Sequence, residues 1–226
     1  MSEKIKELPL NQRPREKAYM MGIQTLSDTE LLGVLLRTGT REKTCLDIAS
    51  ELLEKAQGLA GLNRLNCEEL MVIKGISKVK AIELLASVEL ARRISYEKVN
   101  HKKIMDHPSL LVDWLKLELG DSVQERVMVL FLNTRLCMVG YETLFVGSQN
   151  QSVVDIKLVL KKALDRMWHR IVLVHNHPGG SLVPSQEDID LTKRLQQCAT
   201  LMDIEVVDHL IVSDEGYFSF KESEVL

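Results

Sequence analysis

Over residues 1–100 the apolar positions recur at helical spacing, and beyond them they change to short runs and alternation. Leu31, Leu32, Val34, Leu35 and Leu36 follow Ser27-Asp28-Thr29-Glu30, a box whose outer side chains can satisfy each other's backbone N–H groups, and Gly39 closes the segment. The same spacing predicts a helix from Thr44 through Leu53, carrying Leu46, Ile48, Ala49, Leu52 and Leu53 and stopped by Gly58. Asn66-Cys67-Glu68-Glu69 opens another, with Leu70, Val72 and Ile73 apolar, and Ile82 through Arg93 continues the series. Residues 1–100 therefore read as a small all-helical module. The pattern breaks in the polar stretch Glu97 to Pro108, which serves as the domain boundary and in which His101 and His107 read as solvated.

Residues 105–226 read as a mixed α/β domain, a sheet covered by helices. A helix over about 109–119 precedes a strand at Glu125–Asn133 and a second at Leu136–Val146, turned at Asn133-Thr134-Arg135. Lys157–Met167 is amphipathic, Ile171–Val174 is a buried strand, Gln186–Met202 a helix, Glu205–Val212 a strand, and Tyr217–Phe220 a last short one.

Composition narrows the function. Hydrophobic residues at 45% and charged ones at 27% are ordinary globular usage, which argues against a disordered or fibrous chain. A net charge of -3 removes any whole-protein case for nucleic acid, so a basic patch would have to be local. The four cysteines lack metal or redox spacing and read as buried thiols of a reducing compartment. No apolar run approaches the roughly 18 residues of a membrane span, so the expectation is a soluble, cytoplasmic protein with no membrane partner.

The chemistry concentrates in Val174-His175-Asn176-His177-Pro178-Gly179-Gly180 and Pro184-Ser185-Gln186-Glu187-Asp188. Histidines at i and i+2 on an extended backbone point to one side, so His175 and His177 can reach one ion, and Asp188 arrives from the next element as a third ligand. Two imidazoles, one carboxylate and an open position form the ligand set of a catalytic zinc, one Zn2+ per chain. Ser185 to Asp188 is also a capping box, and alone that explanation suffices; the paired histidines upstream favour ligation. Glu142 shares a strand face with Met138, Gly140, Leu144 and Val146, where a carboxylate is costly unless paired or functional; in the opposite register it is simply exposed.

In the first module, Ile73-Lys74-Gly75-Ile76-Ser77-Lys78-Val79-Lys80-Ala81 resembles a helix-hairpin-helix element, with Ser77 where the second glycine is usual. Gly75, Ser77, Lys78 and Lys80 are the candidate phosphate contacts for DNA, and a purely structural or protein-docking hairpin is the alternative.

Glu142, then His175-x-His177-Pro178, Ser185 and Asp188 are similar to the JAMM (MPN-plus) zinc hydrolase motif. His175 to Pro178, Pro184-Ser185, Thr192, Asp208-His209, Arg13 to Lys17, Leu26 to Leu32 and Arg37 to Thr40 resemble the bacterial RadC (UPF0758) family over almost the whole chain. The chain departs from that family at Ser77, at Gly179, where serine is usual, and at Asp155-Ile156-Lys157, which replaces Pro-Arg-Glu. The resemblance implies a helix-hairpin-helix module followed by a JAMM domain, a cytidine-deaminase-like α/β sandwich. In it His175, His177 and Asp188 bind zinc with water as fourth ligand, and Glu142 is the general acid/base. Zinc lowers the pKa of water to roughly 7, a carboxylate can relay the proton to a leaving amine, and the Ser185 hydroxyl can stabilise an oxyanion. The implied function is a zinc-dependent metallopeptidase or isopeptidase acting on a protein or peptide; the alternative is a DNA-associated binding protein with a structural metal. Asp208 and His209 alternate sides of a strand, so at most one faces the site.

Overall fold

Three reciprocal capping boxes start helices in the first half of the chain. The computed structural model describes residues 5–106, 108–120, 124–146, 154–177 and 179–226, so His107 and Pro178 lie outside the described residues. The helices are α1 (Pro14–Met21), α2 (Asp28–Leu36), α3 (Cys45–Ala56), α4 (Cys67–Met71) and α5 (Lys78–Val99). Ser27 with Glu30, Thr44 with Asp47 and Asn66 with Glu69 each exchange side-chain and backbone bonds, which satisfies N–H groups that a helix start leaves open. Leu36, Ile48, Ala49, Leu52 and Ala81 are fully buried in this unit's core. Helix α2 stops at Arg37, whose φ of 62° breaks the helix before Gly39 is reached. Gly39 serves a close approach instead: a Cβ there would lie 2.1 Å from the Lys43 carbonyl oxygen.

Gly75 makes the turn between α4 and α5 at φ +110°, and a Cβ on it would meet Ile48 Cδ1 at 2.4 Å. Gly75→Ala should therefore cost the first unit about 1–3 kcal/mol through backbone strain alone. A lowered urea midpoint would show it, and an unchanged one would contradict it.

The chain's contacts divide between Ala91 and Arg92, inside α5, rather than in the polar stretch from Glu97. The physical reason is that Tyr96 and Val99 pack into the core of the second unit, so the last turns of α5 belong to it despite their polar neighbours.

The second unit holds α6 (Pro108–Leu115), α7 (Ile156–Asp165) and α8 (Gln186–Thr200) around strands β1 (Arg126–Leu132), β2 (Met138–Val146), β3 (Arg170–Asn176), β4 (Glu205–Val212) and β5 (Tyr217–Ser219). The strand order is β2-β1-β3-β4-β5. Among the described residues only β3 and β4 pair in parallel, with α8 in the crossover between them. Val127, Val129, Phe131, Ile171 and Leu173 face a core shared with α7 and α8, through Val159, Ala163, Leu195 and Ala199. Met128, Leu130, Leu132, Val172 and Val174 face the other side, against Leu111, Trp114 and Leu115 of α6. Strands β1 and β3 are thus buried on both faces, which is why their sequences read as apolar runs. Each such side chain stabilises the fold by about 1.5–3 kcal/mol, and together they hold the end of β3 against its neighbours. The result is a mixed α/β unit following a helical one. Among the described residues no helix is long and apolar enough to cross a membrane.

Candidate metal centre

Strand β3 alternates through Ile171, Leu173 and His175 on the face of α7 and α8, and carries His175 to the end of this central strand while leaving it only 2% exposed. His177 follows one step beyond the strand on the same side, with Asn176 between them pointing away. The buried Asn176 amide takes the Arg126 N–H at 2.8 Å and reaches the Gln124 carbonyl at 3.3 Å, which fixes the start of β1 beside the histidines.

Asp188 comes from the first turn of α8. Ser185 is the N-cap: its Oγ accepts from Asp188 N–H at 3.1 Å, while Asp188 Oδ2 accepts from Ser185 N–H at 2.7 Å and from the Ser185 hydroxyl at 2.6 Å. Capping and ligation, alternatives in the sequence, coexist here: the box aims the carboxylate at the histidines. His175 Nε2 lies 3.2 Å from Asp188 Oδ1, and His177 Nε2 lies 3.2 Å from Oδ2. The two Nε2 atoms are 3.0 Å apart, and one ligand atom from each of the three residues lies within 4.8 Å of the others.

The donor chemistry fits a cation. His177 Nδ1 stands 2.9 Å from the Ser181 carbonyl, an obligate acceptor, so Nδ1 carries the proton and a neutral His177 turns a lone pair on Nε2 inward. His175 is likewise bonded from behind, with Nδ1 2.8 Å from His209 Nε2. Lone pairs and carboxylate oxygens thus converge on one point, an arrangement that repels itself unless a proton or a metal ion occupies it. Burial opposes ionisation of Asp188, but its hydrogen bonds to His175, His177 and Ser185 outweigh this and hold the carboxyl well below the usual range. The bond to Asp188, against the opposing effect of burial, raises the proton affinity of His177, and the charge of Glu125 adds to it.

Glu142 is not brought to this cluster. Its carboxylate is held by Lys162 of α7 at 2.7 Å and by Arg166, the residue that caps the end of α7, at 2.5 Å, and it does not line the groove beside the histidines. A bulge at Val139, between the Leu132↔Met138 and Phe131↔Gly140 pairs, reverses the alternation. Met138 therefore packs on the α6 side and Glu142 on the α7 side, not on one shared face. Strand β1 separates β2 from β3, and Glu142 stands level with Leu173, so strand spacings put it roughly 12 Å from His175.

Glu125 is the carboxylate from β1's start that comes near the histidines: its charge acts on His177. Val127 pairs with His175, and continuing that antiparallel register by two residues sets Glu125 across from His177, whose proton affinity its charge raises. It lines a groove of about 1100 Å³ together with His175, His177, Ser185, Asp188 and Leu173. The sequence held the signal: Glu125 precedes Val127, Val129 and Phe131 at alternating positions of a buried stripe.

Of the candidate phosphate contacts, Lys80 is turned onto its own chain, donating to Thr38 O at 2.6 Å and Gly75 O at 2.9 Å. Burial lowers the proton affinity of that lysine. Lys74 pairs with Glu42 at 2.7 Å, Ser77 Oγ lies 3.4 Å from Lys80 N as a helix start requires, and Lys78 is exposed at the first position of α5. Of Asp208 and His209, only His209 turns toward the site; Asp208 accepts from Ser219 and from the N–H groups of His209 and Lys221.

A family model described as a RadC-like JAB domain matches residues 105–225, and one described as the UPF0758 N-terminal domain matches residues 5–82. A UPF0758 protein of Geobacillus sp. (strain WCH70) is 40% identical over 222 residues, 98% of each chain. UPF0758 protein YsxA of Bacillus subtilis is 38% identical over 223 residues, 99% of this chain and 96% of that one. A UPF0758 protein of Alkaliphilus metalliredigens is 41% identical over 224 residues, 98% and 96%. JAB domains are generally hydrolase-like and typically bind zinc, the ion for which two imidazoles and a carboxylate are a fitting set. Because this likeness runs through both units, the chain belongs to the UPF0758 family and carries a RadC-like JAB domain in its second unit.

Proposed function

We propose that this chain is a zinc-dependent metallopeptidase or isopeptidase of the JAMM type, with Glu125 rather than Glu142 as its general acid/base. The observation that carries the reading is the convergence of His175 Nε2, His177 Nε2 and the Asp188 carboxylate beside a groove whose wall holds further carboxylates, of which Glu125 acts on His177. When bound, zinc would supply a Lewis acid that brings the pKa of a water to about 7. Glu125, opposite His177, would accept the proton from that water and deliver it to the departing amine. Ser185 has a single hydroxyl hydrogen, which it donates to Asp188, so its role in this reading is to aim a ligand rather than to hold an oxyanion. Leu173, Val154 and Leu191 give the groove an apolar wall suited to a peptide's side chains.

The α/β unit with helices on both sheet faces is compatible with a cytidine-deaminase-like sandwich, and the Gly75 turn with a helix-hairpin-helix. In the hairpin Lys80 and Lys74 are engaged by the chain itself while Lys78 is exposed, so the DNA-binding alternative rests on Lys78. To test the hydrolase reading, purified protein would be stripped with a chelator, reloaded with zinc, and incubated with proteome-derived peptides and isopeptide-linked peptides. New amide cleavage that appears only with zinc is the expected result. A zinc-loaded protein that leaves every peptide intact, or cleavage indifferent to the chelator, would overturn it.

A further inference from the structure

Behind His175 two side chains, His209 and Thr192, lead back to the backbone of α8. Thr192 Oγ1 lies 2.6 Å from the Asp188 carbonyl oxygen and 2.6 Å from His209 Nδ1, and His209 Nε2 lies 2.8 Å from His175 Nδ1. The proton positions in this relay follow from chemistry. A threonine hydroxyl has one hydrogen and a carbonyl has none, so the Thr192 hydrogen is donated to Asp188 O. Thr192 Oγ1 can then only accept from His209, which places the His209 proton on Nδ1. His209 is fully buried, and a neutral imidazole protonated on Nδ1 carries its lone pair on Nε2, the atom 2.8 Å from His175 Nδ1. That lone pair accepts from His175 Nδ1–H, and His175 is left with its own lone pair on Nε2, aimed at His177 and Asp188.

We propose that Thr192 and His209 are positioning residues that set the tautomer of His175, so that its Nε2 is ready to bind a divalent metal. The inference rests on the metal reading above and adds two residues that touch neither metal nor substrate. Asp188 enters the arrangement twice, its carboxylate facing the ion and its carbonyl anchoring the relay, so the third ligand and the tautomer of the first are tied to one turn of α8. The stack of Phe220 on His209, with centroids 4.5 Å apart and planes 17° from parallel, keeps the His209 ring in the plane that the relay needs. His209 owes its orientation to a register shift between β3 and β4, from Ile171↔Val206 to Val172↔Asp208, which sets it beside Leu173 on the ligand face.

The test compares zinc affinity, by competition with a chromophoric chelator, for the full-length parent, His209→Leu, His209→Gln, Thr192→Val and Thr192→Ser. Leucine keeps the apolar volume and removes both ring nitrogens, so affinity should fall about 10–100-fold. Glutamine offers a carbonyl to His175 and an NH₂ to Thr192, so it should restore most of that loss. Thr192→Val should weaken binding and Thr192→Ser should preserve it. Imidazole ¹⁵N spectra of the parent should show His209 protonated at Nδ1 and bare at Nε2. Folded His209→Leu with parental zinc affinity, or a His209 proton on Nε2, overturns the proposal. If His209→Leu does not fold, the Thr192 pair and the parent spectrum decide it. If the parent binds no zinc, the metal reading fails, and the tautomer in the metal-free parent still tests the relay.

Discussion

Glu125→Gln should abolish zinc-dependent amide cleavage with zinc still bound, whereas Glu142→Gln should leave both cleavage and zinc in place. A positioned acid/base typically contributes about 10²–10⁴-fold, so a fall of that size in kcat/KM is expected for Glu125→Gln. Glutamine fills the same space beside His177 and cannot take a proton. Metal content should be unchanged, because the ligand atoms come from His175, His177 and Asp188. For Glu142 the argument runs the other way. Lys162 and Arg166 bind its two oxygens away from the histidines, and it lines no part of their groove. Those cations are half-exposed, and pairs of that kind contribute only about 0.2–1 kcal/mol, so Glu142→Gln should at most loosen α7 slightly. Kinetics on the zinc-loaded variants together with metal analysis would decide. Full activity in Glu125→Gln would remove Glu125 from the chemistry, and an inactive Glu142→Gln that keeps its zinc would return the role to β2.

The contrast between the two glutamates marks where the sequence stops being legible. His175, His177 and Asp188 are readable because their geometry is local: two-residue alternation sets the histidines on one side, and a four-residue capping box aims the aspartate. The choice of Glu125 over Glu142 depends on two properties that no local pattern carries. One is the strand order, which puts β1 and not β2 beside β3. The other is the bulge at Val139, which cancels the strict alternation that placed Met138 and Glu142 on one face. His209 belongs to the same class, since its side of the sheet is set by a register shift against β3. Helix starts were legible at Ser27, Thr44 and Asn66, where a side chain meets a backbone three residues away. The end of α2 was not, because Arg37 and not a glycine takes the left-handed φ.

Zinc should stabilise the protein against heat, and the stabilisation should grow from about pH 6 to pH 8 and disappear in His175→Ala. A ligand held only by the folded state adds about 2.7 kcal/mol when present at 100 times its dissociation constant. The pH dependence follows from what else can fill the cluster. With no metal, the facing Nε2 atoms of His175 and His177, 3.0 Å apart beside an ionised Asp188, are relieved by a proton. The hydrogen bond to Asp188, opposed by burial, raises the pKa of His177 above its unfolded value. A group raised in this way stabilises the fold fully below the unfolded pKa near 6.5, and that contribution is lost as pH rises through the folded value. The metal-free protein therefore weakens at this site on going from acid to neutral pH, while zinc, which must displace the same proton, binds better. The two trends reinforce each other, so the melting-temperature gap between zinc-loaded and chelated protein widens with pH. Calorimetry in buffers of different ionisation enthalpy should register proton release on zinc binding, larger at pH 6 than at pH 8. A gap that is constant with pH, or that survives His175→Ala, would mean that the ion binds elsewhere; in His175→Ala the remaining His177–Asp188 contact can still hold a proton but presents only two of the three ligand residues.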